Sequence, residues 1–202
     1  MKGQSSTLVA NDAARVTLGV SATRRTAAAA LQAASRQMQR VIGSARAAGV
    51  APADIRTQNI SVNKLVTRLK GGRTRNRGYR ATQSIRVTVR AIAQTGRLVD
   101  RAVGAGATQV SGPDFFISNT ARSYREALGL AFDDAHAKAQ LLAGRAGATL
   151  GPVLSIDEGV TAESVGPAGQ AGAAADGAPV TPVQPGQSRL DATVTVVFEL
   201  VG

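Results

Sequence analysis

The chain has 202 residues, 44% hydrophobic and 18% charged, a composition that suits a globular protein with a real core. With no cysteine and one histidine, it excludes disulfides, thiolate metal sites, cysteine nucleophiles and any cage of several histidines. Its net charge of +11 is lopsided: residues 1–113 carry 19 basic and 3 acidic residues (+16) and residues 114–202 carry 5 and 10 (−5), which invites an anionic partner or an acidic face of another copy.

The elements read in chain order as strand–helix–strand units. Residues 15–22 alternate, with Val16, Leu18 and Val20 on one face, the period of a half-buried strand. From 26 to 48 the period changes. Ala30, Leu31, Ala34, Met38, Val41 and Ala45 recur at helical spacing, with Arg36, Gln39 and Arg40 on the other side. Gly49 supplies the stop, Pro52-Ala53-Asp54 a turn, and 55–65 a second strand. A Gly/Arg stretch at 70–78 leads into the most regular strand, 79–93, where Ile85, Val87 and Val89 face away from Arg86, Thr88 and Arg90. The two strands around Gly71-Gly72 are expected to form a hairpin with a long basic tip.

A short helix follows at 95–104, then a strand at 110–118. A long helix carries the stripe Tyr124, Ala127, Leu128, Ala131, Ala135, Ala139, Leu142 and Ala146. A short strand at 152–158 precedes 159–188, a Gly/Ala/Pro-rich stretch expected to be a flexible loop. The closing strand, from 189 to 202, alternates Ala192, Val194, Val196 and Phe198 with polar or outward residues, and is expected to return to the core sheet. Each helix ends in a small residue and glycine before the next strand, as in Ala48-Gly49-Val50, Gly106-Ala107 and Gly147-Ala148, and these glycines are expected in left-handed caps.

The fold class is therefore α+β: an antiparallel sheet with about three helices on one face, and one wet face. No apolar run approaches the roughly 20 residues of a membrane-spanning helix. No apolar leader stands in front of the first strand, so either the protein is cytosolic or a leader has been removed.

Several chemistries can be weighed. Lys64, Arg68, Lys70, Arg73, Arg75, Arg77 and Arg80 fall within 17 residues that hold no acid. They form an anion-binding finger for nucleic acid or anionic lipid, a contact between copies, or a solvated tip guarded by charge against edge pairing. Tyr79 could stack on a base, though one aromatic is a thin platform. Asp133, Asp134 and His136, with Glu126, could approach a metal on one helix, but no partner motif supports them. No GxSxG elbow and no phosphate loop occur. Phe115-Phe116 reads as core or interface, with one ring expected to point outward. The expectation is no catalytic residue, no metal, no cofactor and no small-molecule site.

The order of short motifs resembles the SIMPL-domain family. The carrying residues are Val16-Thr17-Leu18-Gly19-Val20; Ala48-Gly49-Val50 with Asp54-Ile55-Arg56-Thr57; Gly78-Tyr79-Arg80-Ala81; Gly106 to Phe115; Glu126-Ala127, Asp134-Ala135, Lys138-Ala139 and Ala146-Gly147; and Pro185-Gly186 with Ala192 to Val196. Residues 13–158 then correspond to the family core, and 1–12 to an N-terminal tail or an altered first strand. The resemblance implies a periplasmic, cell-surface or secreted protein that forms homo-oligomers, with roles in envelope integrity or oxidative-stress defence. It brings no catalytic residues with it. The alternative on the residues alone is a polyanion-binding module using the basic hairpin 64–80.

Overall fold

The computed structural model describes residues 1–68, 72–159 and 181–202. Its elements are β1 (Lys2–Ala10), β2 (Ala13–Arg24), α1 (Ala27–Ala47), β3 (Ile55–Arg68), β4 (Thr74–Val89), α2 (Thr95–Gly104), β5 (Gln109–Phe116), α3 (Thr120–Arg145), β6 (Thr149–Gly159) and β7 (Gln187–Val201). All pairings are antiparallel. The α+β class is as expected.

The number of sheets is not. The strands divide into a four-stranded sheet, β3-β4-β2-β5, and a three-stranded sheet, β1-β7-β6, where a single layer was expected. The chain correspondingly forms two compact units. Alternation shows which residues of a strand face inward. It carries no information about which strand pairs with which, and β1 and β7 are joined from opposite ends of the chain.

In the four-stranded unit, α1 packs on the inner face of β2 and β4. Ala30, Ala34, Met38 and Val41 of the helix meet Val16, Leu18 and Val20 of β2 and Ile85 and Val87 of β4, and Leu98 and Ala102 of α2 complete the core. The small alanines let helix and sheet approach closely, while the branched residues fill the space between. Thr26 caps α1, its hydroxyl accepting from the Ala29 N–H at 3.2 Å. In the other unit, Ala127, Ala131 and Ala135 of α3 lie on Leu190, Ala192, Val194 and Val196 of β7, with Phe132 and Phe198 at the margin.

All three helices end in the same way. Gly49, Gly106 and Gly147 have φ of 88°, 108° and 74°. The next residue's N–H returns to a carbonyl of the last turn: Val50 to Ala45, Ala107 to Ala102, Ala148 to Ala143. This is the glycine-capped ending expected from the repeated small-residue punctuation.

β1 is the element with the weakest local signal. Its sequence, KGQSSTLVA, buries only Gly3. It is held instead by its ladder to β7, by a bond from Gln4 N–H to Asp134 (2.9 Å) and by one from Ser5 Oγ to the Ala127 carbonyl (2.7 Å). The expected loop 159–188 falls mainly on 160–180, outside the described residues.

Candidate functional site

The basic segment forms a two-stranded ribbon. β3 pairs with β4 from Ile55↔Val87 out to Arg68↔Thr74, whereas β2 accompanies β4 only to Arg24↔Tyr79. Beyond Tyr79, β3 and β4 therefore continue as an arm. Lys64 lies opposite Tyr79, Arg75 opposite Thr67, and Arg80 between Asn63 of β3 and Thr23 of β2. Arg77 is the extra residue of a bulge, since Leu65 pairs with Gly78 and Val66 with Asn76. Lys64, Arg68, Arg73, Arg75, Arg77 and Arg80 are all exposed. Lys70 lies outside the described residues. Tyr79 is half-buried and packs against the first core, which removes it as a stacking platform.

The outer face of the four-stranded sheet escaped sequence reading. The ladder sets Arg56 of β3 directly opposite Arg86 of β4, with Thr17 of β2 next in the row. Gln58 is bulged out between Thr57 and Asn59. With its amide oriented to satisfy its neighbours, its oxygen accepts from the Arg86 guanidinium and its nitrogen donates to Thr17 Oγ1. Arg86 was legible as an outward residue of its strand. That it faces another arginine depends on register and on a bulge that no periodicity reveals.

Arg90, two turns of the pleat beyond, is neutralised. It donates to both oxygens of Asp54, at 2.8 and 2.9 Å. Those bonds, with Coulombic help from Arg90 and Arg56, hold the Asp54 carboxyl below its ordinary pKa against a smaller desolvation cost. A carboxyl depressed in the folded state contributes stability above its unfolded value, near 4, and that stability fades as pH falls through the lower folded value. Asp54→Asn should thus melt below the parent at pH 7, with the gap closing below about pH 4 in thermal melts followed by circular dichroism.

The metal reading of α3 finds other uses for its residues. His136 sits between Phe132, at 6.3 Å between centroids, and Phe198, at 5.7 Å. Asp134 binds Lys138 at 2.6 Å, and Glu126 binds Arg122 at 3.3 Å. Among the described residues no three His, Asp or Glu side chains gather as a metal site. Phe115 packs on the first core and Phe116 lies under the Arg15 guanidinium at 4.6 Å, so neither ring stands free. A cavity of about 350 Å³ in the three-stranded unit is lined by apolar residues including Leu142, Leu150, Phe198 and Leu200. Another, of about 340 Å³, is bordered by Gln94, Arg97, Arg101 and residues 47–49.

Residues 1–198 match the model of the family described as SIMPL, a protein of unknown function (DUF541). The "Uncharacterized protein YggE" of Edwardsiella ictaluri (strain 93-146) is 27% identical over 145 residues, 72% of this chain and 61% of that protein. The "26 kDa periplasmic immunogenic protein" of Brucella melitensis biotype 1 is 29% identical over 151 residues, 73% of this chain and 60% of its own length. The homonymous protein of Brucella abortus (strain S19) matches to the same extent. The aligned part thus spans about three-fifths of these relatives. No helix among the described residues is long and apolar enough to cross a membrane. The match over nearly the whole length, in the order of motifs seen along the strands and helices, places this chain in the SIMPL family.

Proposed function

We propose that this protein is a non-enzymatic, envelope-associated component that works by assembling with copies of itself. The periplasmic Brucella relatives support the compartment. The observation that carries assembly is β3. It is an outer strand of its sheet, 14 residues long, with Ile60, Val62 and Val66 exposed by 58%, 37% and 56%. A long apolar edge strand is a template for another strand, and a monomer normally blunts it.

A complementary edge exists in the other unit. β6 is an outer strand, with Leu154 and Ile156 exposed by 63% and 57% and followed by Asp157 and Glu158. Pairing β3 of one copy with β6 of the next would join apolar strips and set Lys64 and Arg68 near acids. Because the two edges differ, the contact is heterologous and closes into rings or extends as filaments.

Native mass measurement and light scattering test this. The parent should form multimers at low salt, and the Ile60→Lys/Val66→Lys variant should be monomeric under the same conditions while keeping its circular dichroism. Asp157→Lys/Glu158→Lys should also dissociate it, and adding Lys64→Glu/Arg68→Glu should restore part of the association. A parent that stays monomeric at high concentration in low salt would defeat the proposal. The cellular consequence we propose is support of envelope integrity or oxidative-stress defence. A deletion strain should be sensitive to detergent or peroxide and be rescued by the parent but not by the monomeric variant.

A further inference from the structure

We propose that the outer face of the four-stranded sheet is a docking surface for a linear anionic glycan, centred on the opposed arginines Arg56 and Arg86. Like charges directly across a ladder destabilise a sheet. Among the described residues no carboxylate is bonded to either member of the pair. Asp54 acts on Arg56 only through Coulombic attraction and is already held by both Arg90 bonds. Gln58, itself anchored on Thr17, holds Arg86 through its neutral amide oxygen, which orients the guanidinium without neutralising it. Arg86 is thus held in place with Arg56 across the ladder from it, two fork-shaped donor groups whose repulsion an anion would relieve.

The rest of the face decides which anion. Moving along the strands from Arg86, the outward positions are Ser84 and Thr82 on β4 and Asn59 and Ser61 on β3, until Arg80 closes the row opposite Asn63. Arg86 and Arg80 are six residues apart, roughly 20 Å along a strand. Cations at both ends of a hydroxyl- and amide-lined track suit an extended chain with spaced anions and many hydroxyl groups. A single-stranded nucleic acid would seek aromatic platforms for its bases. Phe116, at the far end of this face, is covered by Arg15, and Tyr79 packs into the core. The track uses the outward side chains of β3 and β4, whereas strand addition would use the free backbone edge of β3, so separate variants test the two readings.

Titration calorimetry with oligogalacturonate and with a heparin oligosaccharide is the test, alongside a neutral dextran and an oligothymidylate of matched charge. At least one anionic glycan should bind, with affinity falling steeply as salt rises. Arg56→Gln/Arg86→Gln should weaken that binding at least tenfold, while Arg73→Gln/Arg75→Gln/Arg77→Gln in the arm should change it less than threefold. The face variant should melt no lower than the parent, since removing opposed like charges relieves repulsion. If neither glycan binds at low salt, if the oligothymidylate binds as tightly as the glycan, or if the arm variant rather than the face variant abolishes binding, the assignment is overturned.

Discussion

Gly3→Ala should cost about 3 kcal/mol or more of stability, at or above the top of the usual range for forcing atoms into packed space. The reason is steric room. A Cβ on Gly3 would come within 1.9 Å of the Ala131 carbonyl oxygen and 2.7 Å of both the backbone nitrogen and the Cβ of Ala135. These are helix backbone and its shortest side chain, which cannot swing aside. Gly3 is paired with Val194, so moving β1 away from α3 would break the β1–β7 ladder as well. Urea denaturation should show the loss, and hydrogen exchange should show amides of Lys2–Ala10 losing protection first. Gln4→Ala, next in the strand and exposed, is the control and should stay within about 0.5 kcal/mol of the parent. A Gly3→Ala variant as stable as the control would mean that β1 does not lie against α3.

Leu18→Ala should cost about 2–5 kcal/mol, through lost burial and the cavity left behind. Leu18 is fully buried in the first core, flanked in the sheet by Ile85 on β4 and Val110 on β5. Four of the six buried residues that α1 brings to this core are alanines, which have no flexible side chain with which to refill the space. Denaturant melts should give the loss directly, and exchange protection should fall in β2 and β4. The two substitutions strike different cores, so the amides that lose protection should differ between them. A loss below 1 kcal/mol for Leu18→Ala would contradict the packing described.

Particular elements show how far the residues could be read. β2 and β4 were legible because one face of each is buried and the other wet, so Val16-Leu18-Val20 and Ile85-Val87-Val89 stand out at period two. α2 was legible from Leu98, Val99, Ala102 and Val103. β1 was not, because its ladder and one glycine supply its stability, and neither leaves a hydrophobic period. The basic hairpin was read from composition alone. The same reading passed over Arg56, which gains meaning only from the residue across the ladder.

Local pattern by itself determined the helices, their glycine caps, the inward faces of most strands, the basic arm and the resemblance to a family. These depend on neighbours within a few residues, which is the range over which period and turn chemistry act. Tertiary structure alone decided that the seven described strands make two sheets, that β3 and β6 are outer strands with exposed apolar residues, that Asp54 neutralises Arg90, and that Arg56 and Arg86 confront each other. Each of those follows from pairing and register between distant segments, where a shift of one residue turns every side chain to the opposite face.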